Sequence, residues 1–377
     1  MDKQQKKQLL QAMEKAICEK SFYEFFIRAF EIAEPSVPIS VNFHHKYLCD
    51  ILQGEAERIK DNKPKNKDII INIPFRSSKS LLVTVLFPAW CWAVYPKMRF
   101  ITASYSSDIS IEHATKSRDI VNSEWYQKHW GETFQIKKDQ NLKARYENNF
   151  LGSRRATSVG GSVTGQGGDI ILVDDPTSPK NAASQIEREN ANEWYKSTLY
   201  SRLNNPTTGV RIIIMQRVHE DDLSGYLLFN SPDKHRHICI PAELSSDLKP
   251  SHLADKYQDG LFWKERFSQE VLDDYKSALG SYGYAGQLQQ RPTPANSGMI
   301  KKSWFKVDET QKEGVVNFII DPAYTASEKN DPSALLAYVF AENTWQIISV
   351  QNVRLEFPDL IKHIIKFVEK KWIQHTI

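Results

Sequence analysis

Cysteine is scarce in this chain of 377 residues, and the few cysteines are scattered. None of the four forms a C-x-x-C pair: Cys18, Cys49, Cys91 and Cys239. This spacing excludes a disulfide framework and a cysteine zinc site, and it is typical of proteins from a reducing compartment. An apolar signal-peptide core is also missing, because the N-terminus from Met1 to Lys7 is polar. These absences predict an intracellular protein.

Long apolar runs and a strong net charge are absent as well. The most apolar run, residues 81–95, has about fifteen residues and contains Pro88, whereas a membrane-spanning helix needs ~20 apolar residues. The formal net charge of +3 indicates no overall basic field for nucleic acid, although basic patches remain at Arg154-Arg155 and between Lys60 and Lys67. With 41% apolar and 25% charged residues, the composition favours a soluble globular protein long enough for two or more domains.

Short β-rich runs alternate with helical patterns over the first 240 residues. The β-rich runs lie at 68–73, 98–104, 148–152, 169–174, 210–216 and 236–240. Apolar residues recur at helical spacing at 5–32, 44–60, 79–95, 107–127, 184–202 and 221–230. This alternation predicts an α/β domain around a largely parallel sheet, ending near residue 245.

The chain changes character after residue 245. A helical piece at 268–279 is followed by a stretch rich in Gly, Tyr, Gln and Pro at 280–294, so residues 246–310 are predicted to form a lid or linker. Residues 311–377 return to a β-pattern, with strands at 315–320, 333–340 and 344–351 and a helix at 358–371. Three strands and then a helix indicate the first part of a ribonuclease H-like fold, which we expect to be incomplete at Ile377.

The strand at 68–73 leads into Lys79-Ser80 as in a phosphate-binding P-loop (Walker A), but both glycines of that motif are missing. Ile73 and Ser78 stand in their places, and serine costs about 1 kcal/mol if the position requires a positive φ. Lys79 would contact the β- and γ-phosphates of ATP and Ser80 would bind Mg²⁺. The alternative is an ordinary solvated loop after a strand.

The other residues of this loop have matching roles. Backbone N–H groups of Arg76, Ser77 and Ser78, next to a helix start, would bind phosphate oxygens. The Arg76 guanidinium would contact the γ-phosphate in cis, as an arginine finger does.

Two acidic residues follow the apolar strand at 169–174. Asp174 stands at the end of this strand, where a Walker B carboxylate holds the metal, and Asp175 would orient the attacking water. The alternative is that both carboxylates cap the turn at Pro176.

A third strand, 210–216, ends in Gln216-Arg217, which would sense the γ-phosphate at the same sheet edge. His219 and the acids Glu220, Asp221 and Asp222 are compatible with a metal cluster, but such a run is more typical of a helix N-terminus.

In this order, the motifs resemble the large terminase subunit of tailed bacteriophages, the motor of DNA packaging. The resemblance covers roughly residues 40 to 350. It is carried by Pro74–Ser80, Arg99–Ser107, Thr164–Pro176, Met215–Tyr226, Leu288–Pro292, Gly298–Ile300 and Trp304-Phe305. The family departs from the general P-loop in the same way, with an arginine shortly before Lys-Ser. Gln166 differs from the arginine of many relatives, so Arg154 and Arg155 remain as weaker candidates for an arginine finger acting in trans.

The resemblance implies a P-loop ATPase domain at 1–245, which uses ATP and Mg²⁺ to translocate double-stranded DNA into a procapsid in the host cytoplasm. It also implies a ring of identical subunits, taken as a pentamer, with the portal protein and the small terminase subunit as partners. Two rival hypotheses stay open. One is a helicase-like repair ATPase, and the other is a nucleotide- or DNA-binding scaffold that has lost catalysis.

The resemblance further implies a nuclease with Mg²⁺ or Mn²⁺ held by several acidic residues. Asp321 matches the first of these, and the next is expected on a strand that begins near Ile373. Glu356 and Asp359 are possible substitutes, although acids at a helix start are usually caps. Asp331 is more typical of a turn before Pro332. We therefore expect nuclease activity to be doubtful in this chain.

Overall fold

The computed structural model describes residues 2–293, 305–306, 310, 312–323 and 332–376, with side chains in the last helix described as far as residue 370. The chain divides into two compact units, residues 1–299 and 300–377. Within these described ranges, no helix combines the length and the apolar character that crossing a membrane requires.

The first unit combines helices with one large sheet. Its helices are α1 (Lys3–Lys20), α2 (Phe22–Ala33), α3 (Phe43–Lys60), α4 (Phe87–Val94), α5 (Ser107–Asn122), α6 (Glu124–Trp130), α7 (Gln185–Trp194), α8 (Leu223–Asn230) and α9 (Gln269–Gln287). Its strands are β1 (Asp68–Asn72), β2 (Phe100–Ser104), β3 (Ile136–Leu142), β4 (Arg145–Asn148), β5 (Ser153–Ser158), β6 (Ile170–Asp174), β7 (Val210–Met215) and β8 (His235–Cys239). Two π-helical segments, Leu81–Leu86 and Tyr195–Leu199, precede α4 and follow α7.

The strands form one eight-stranded sheet in the order β3-β4-β5-β2-β6-β7-β1-β8. Six neighbouring strands in this order, β5, β2, β6, β7, β1 and β8, pair in parallel. Strands β3 and β4 add an antiparallel edge next to β5. The predicted α/β fold with a mainly parallel sheet is therefore confirmed. Because parallel strands end at the same edge, the residues that follow β1, β6 and β7 come together there.

The core lies on both faces of this sheet, so the central strands are buried at every position. On one face, Ile69 and Ile71 of β1 pack with α2, α3 and α4. On the other face, Ile70 belongs to a second cluster that includes Trp194 of α7 and Leu223 of α8. Successive side chains of β1 point to opposite faces of the sheet, and both faces are buried, so the central run of this strand is apolar throughout.

Several sequence predictions of element boundaries were wrong. Residues 149–152 form a turn, because the Asn148 side-chain oxygen accepts from the N–H groups of Phe150 and Gly152, each at 2.9 Å. The helix predicted at 5–32 is interrupted at Ser21, which caps α2 through a hydrogen bond from the Glu24 N–H. The predicted helix at 268–279 ends at a kink at Gly280, whose φ is 65°, but the stretch after it forms a second helical segment to Gln287 instead of a lid or linker without helix.

The second unit contains three strands and one helix in the predicted order. Strands β9 (Val316–Asp321), β10 (Ser333–Ala341) and β11 (Thr344–Val353) form an antiparallel sheet in the order β11-β10-β9. Helix α10 spans Phe357–Thr376, and its Phe367 packs against Leu335 and Ala337. Assignment of this unit to a ribonuclease H-like fold stays a prediction.

Candidate active site at the carboxyl edge of the sheet

The loop between β1 and the helical turn that begins at Lys79 has an anion-binding shape. Arg76 and Ser78 have φ values of 57° and 60°, so Ser78 takes the left-handed conformation for which glycine is the usual residue. Among the described residues, the N–H groups of Arg76, Ser77 and Ser78 have no hydrogen-bond acceptor. Free N–H groups in alternating conformations form a concave site for phosphate oxygens.

Lys79 extends from this loop to the end of β6. Its Nζ lies 3.0 Å from Asp175 Oδ2, and the lysine is only 6% exposed. The Asp175 carboxylate also accepts from the Gln216 backbone N–H at 3.1 Å. Asp175 itself has a φ of 43°, a strained conformation for a non-glycine residue that is often found at functional sites. Residues after β1, β6 and β7 therefore meet at this point.

Ser80 and Asp174 provide an oxygen-rich position beside this ion pair. The Ser80 hydroxyl donates to Asp174 Oδ1 at 3.1 Å, and Asp174 is buried at 1% exposure. A hydroxyl and a carboxylate are oxygen ligands of the kind that Mg²⁺ prefers. The predicted pair is therefore adjacent and of suitable ligand type, and its binding of Mg²⁺ stays a prediction.

Thr84 is a site residue that the sequence analysis missed. Its hydroxyl donates to Asp174 Oδ2 at 2.8 Å, so both oxygens of this carboxylate are engaged by one helix. Thr84 follows Ser80 by four residues, and this helical spacing is the signal that could have identified it. The two hydroxyls lie around the π-helical segment, where the Phe87 N–H donates to the Leu82 carbonyl. Such segments often mark functional sites.

Burial sets the protonation of the groups around Asp174. Nδ1 of His113, in α5, lies 3.6 Å from Asp174 Oδ2. Burial, assisted by the positive charge of Arg154, lowers the pKa of His113 to about 4, so its imidazole is neutral at physiological pH. Burial raises the pKa of both Asp174 and Asp175, and the positive charge of Lys79 opposes this effect.

Asp174→Asn is expected to raise the unfolding midpoint at neutral pH by on the order of 2 °C. The pKa of Asp174 in the folded protein lies above 3.8, its ordinary value. The stability of the folded state therefore falls as the pH rises from 3.8 to the pKa of Asp174 in the folded protein. Asparagine removes this loss, so the gain should be full at neutral pH and disappear below pH 3.8. Thermal unfolding across this pH range provides the measurement, with exposed Asp139→Asn as control. A gain that persists at the lowest pH would contradict the assignment.

Gln216 and Arg217 have different surroundings. Gln216 is buried, and its Oε1 has no partner among the described residues. The Arg217 guanidinium is bound to Asp222, with Nε 2.9 Å from Oδ1, and Nη2 donates to the His219 and Glu220 carbonyls. Arg217 thus holds the loop after β7, and its contact with a γ-phosphate stays a prediction.

The acidic run after His219 is a helix start, as the sequence favoured. Asp222 accepts from the Gly225 N–H at 2.9 Å and caps α8. No group of three His, Cys, Asp or Glu side chains with metal-binding proximity occurs in the described ranges. The metal-cluster alternative for this run is therefore wrong.

The arginines considered as candidates occupy three environments. Arg76 is an exposed residue of the phosphate-binding loop, and its contact with the γ-phosphate stays a prediction. Arg154 is 1% exposed and donates to the Thr84 carbonyl, so its proposed action on another subunit is wrong. Arg155 is half-buried and donates to the Ser162 carbonyl. Gln166 lies in the loop before β6.

The predicted nuclease residues are only partly described. Asp321 is exposed at the end of β9. Glu356 lies at the start of α10, where its carbonyl accepts from the Asp359 and Leu360 N–H groups, and Asp359 pairs with Lys362 at 3.1 Å. Both acids therefore lie at the start of α10, and their roles as caps or as metal ligands stay predictions. Asp331 and the linker residues 298–300 and 304 lie outside the described residues.

The comparisons with known proteins identify similar structures only. No family model matches the sequence, and no curated protein matches it. The large terminase of a thermophilic bacteriophage is 11% identical, over 82% of this chain and 70% of that one, with a TM-score of 0.37. Its complex with ATP-γ-S is 12% identical, over 84% and 72%, with a TM-score of 0.35.

The ATPase domain of a Thermus phage large terminase is 10% identical, over 70% of this chain and 98% of that domain, with a TM-score of 0.42. These structures are large terminases, the family that the sequence motifs resemble. At such identities and TM-scores they carry no argument about residues, and the roles of individual residues rest on the geometry above.

Proposed function

We propose that this chain is the ATP-hydrolysing motor of viral DNA packaging, a large terminase subunit that translocates double-stranded DNA into a procapsid. The observation that carries the proposal is the convergence of two pairs at one sheet edge. Lys79 lies 3.0 Å from Asp175, and Ser80 lies 3.1 Å from Asp174. A phosphate-binding lysine beside a water-orienting carboxylate, with a hydroxyl beside a buried carboxylate, is the equipment of phosphoryl transfer from a Mg²⁺-nucleotide.

Each of these residues has a defined task in hydrolysis. The N–H groups of Arg76, Ser77 and Ser78 bind the phosphates, and Lys79 contacts the β- and γ-phosphates. Ser80 and Asp174 would hold Mg²⁺, which neutralises phosphate charge when bound. Lys79 pairs with Asp175, so bound phosphates would compete with Asp175 for the ammonium group. Once released from Lys79, the Asp175 carboxylate is available to orient the attacking water.

Gln216 and Arg76 complete the proposed site. The backbone of Gln216 is tied to Asp175, and its buried side-chain oxygen lacks a described partner. We assign Gln216 to sensing of the γ-phosphate, with Arg217 and α8 carrying the change toward the rest of the domain. The exposed Arg76 would contact the γ-phosphate in cis and stabilise the charge that develops there.

The remaining parts of the proposal follow the family resemblance. Residues 246–310 act as the lid and linker, and residues 311–377 contribute Asp321 to a metal-dependent nuclease. A ring of subunits, docked on a portal and aided by a small subunit, would surround the duplex. Contacts with DNA would be mainly to phosphates, so binding should weaken steeply with salt and ignore base sequence.

Rates of ATP hydrolysis with and without duplex DNA test the proposal. We expect turnover that rises on addition of duplex DNA and loses this stimulation at high salt, as phosphate contacts require. Absence of turnover under both conditions would favour a nucleotide- or DNA-binding scaffold. Directional separation of strands during turnover would favour the helicase-like alternative.

A further inference from the structure

A buried histidine lies directly beneath the phosphate-binding loop. His44, near the start of α3, is fully buried, and its Nε2 lies 3.1 Å from the Ser77 carbonyl oxygen. A carbonyl only accepts hydrogen bonds, so Nε2 must carry the proton in this contact. Burial lowers the pKa of His44 well below 6.5, and the neutral imidazole therefore has no proton on Nδ1.

The bond from His44 controls the next N–H group of the loop. The Ser77 carbonyl and the Ser78 N–H belong to one planar trans peptide, so they point in opposite directions. When His44 holds the carbonyl on its side, the Ser78 N–H faces away from α3. Ser78 also has a φ of 60°, which a serine adopts at an energetic cost that a glycine avoids. A loop without glycine at this position needs an external contact that keeps this peptide in place.

His44 is itself held by aromatic rings. Ring centroids of Phe262 and Trp263 lie 5.4 Å and 5.2 Å from that of His44. The Asn42 side chain donates to the Phe262 carbonyl, which joins the start of α3 to the same segment. The imidazole is thus fully buried against these two rings, and close packing opposes its turning away from Ser77.

We propose that His44 is a positioning residue for ATP binding, which orients the Ser77–Ser78 peptide so that the Ser78 N–H donates to a bound phosphate. This inference rests on the proposed function, because it assumes that the loop binds nucleotide. It also explains how the chain maintains a phosphate-binding loop with serine where glycine is usual. His44 contacts no substrate itself and acts through the loop backbone.

A pair of substitutions distinguishes the effect of the hydrogen bond from His44 to Ser77 from the effect of having any polar side chain at this position. In His44→Gln, the side-chain amide nitrogen reaches the position of Nε2 and can still donate to Ser77. In His44→Asn, the shorter amide reaches only the position of Nδ1. We expect His44→Asn to raise the KM for ATP about tenfold with kcat little changed, as loss of one hydrogen bond implies, and His44→Gln to restore most of the affinity.

His45→Asn is the matched control for general damage. His45 is equally buried, but its Nδ1 accepts from the Asn42 N–H at 3.0 Å, a bond that the asparagine oxygen can replace. We expect this variant to leave the KM for ATP unchanged. An equal rise of KM in His44→Asn and His45→Asn would overturn the proposal, since it would show a structural effect alone.

Amide hydrogen exchange provides a readout that does not depend on ATP. In the nucleotide-free protein, His44→Asn should accelerate exchange at residues 76–80, whereas His44→Gln and His45→Asn should not. If the wild-type chain binds no ATP, the proposed function fails, and the exchange experiment still decides whether His44 orders the loop. Equal exchange in the two His44 variants would overturn the positioning role.

Discussion

Lys79→Ala is expected to lower DNA-stimulated ATP turnover by about a hundred- to thousandfold, the loss that follows removal of one group aimed at developing charge. Lys79 is the only cation of the described structure within a salt-bridge distance of Asp175. It is also nearly buried, and a buried ammonium acts on phosphate charge more strongly than an exposed one. Alanine leaves both the phosphates and Asp175 without this charge. Steady-state hydrolysis with saturating duplex DNA measures the effect.

The same substitution should leave the fold intact. The only described partner of the Lys79 side chain is Asp175. The Asp175 side chain is 23% exposed to solvent, and it still accepts the hydrogen bond from the Gln216 N–H when Lys79 is removed. Without Lys79 the pKa of Asp175 should rise further, because the influence that opposes burial has gone. Lys196→Ala is a suitable control, since Lys196 also pairs with an acid, Glu193, but on the surface. Turnover that survives in Lys79→Ala would remove the nucleotide-site assignment.

Asp222→Ala is expected to lower the free energy of unfolding by about 3–5 kcal/mol, as the loss of one partner from a buried ion pair does. Asp222 is fully buried, and its carboxylate accepts from Arg217 Nε and from the N–H groups of Val218, His219 and Gly225. Alanine removes the helix cap and leaves the largely buried Arg217 without its counter-charge. Urea unfolding monitored by tryptophan fluorescence measures the change.

The neighbouring acid gives the control for Asp222. The Asp221 side chain is 72% exposed and, among the described residues, forms an ion pair only with His219, at 3.8 Å, so Asp221→Ala should change stability by less than about 0.5 kcal/mol. The double variant Asp222→Ala with Arg217→Met should recover part of the loss, because the uncompensated charge is then absent. Equal destabilisation by the two alanine variants would show that Asp222 does not hold this loop.

Part of the site could be predicted from the sequence because its geometry follows from one topological rule. Lys79, Asp174 and Gln216 each follow or end an apolar run, and parallel strands bring such ends to one edge. Assigning β1, β6 and β7 to one sheet was therefore enough to place these residues together. The left-handed conformation of Ser78 could be anticipated too, since glycine is the usual residue there.

Other features could not be predicted, some because they depend on contacts between residues far apart in sequence and some because local side-chain hydrogen bonds override the apolar pattern. Thr84 meets Asp174 across 90 residues, and His44 meets Ser77 across 33. Arg217 donates to Asp222, which is only five residues away. The Asp222 carboxylate lies within reach because α8 starts at this point. The pattern at 148–152 looked like a strand, yet the local hydrogen bonds of Asn148 produce a turn.

By itself, the sequence determined the α/β class, the parallel arrangement of the apolar strands and the edge at which polar residues gather, because hydrophobic periodicity and burial act locally along the chain. Tertiary structure decided which of these polar groups face one another. It joined Lys79 to Asp175, engaged Arg217 with Asp222 and placed His44 beneath the loop that lacks glycine. Such pairings depend on packing distances and on the need to satisfy every buried donor and charge, which no single segment of sequence contains.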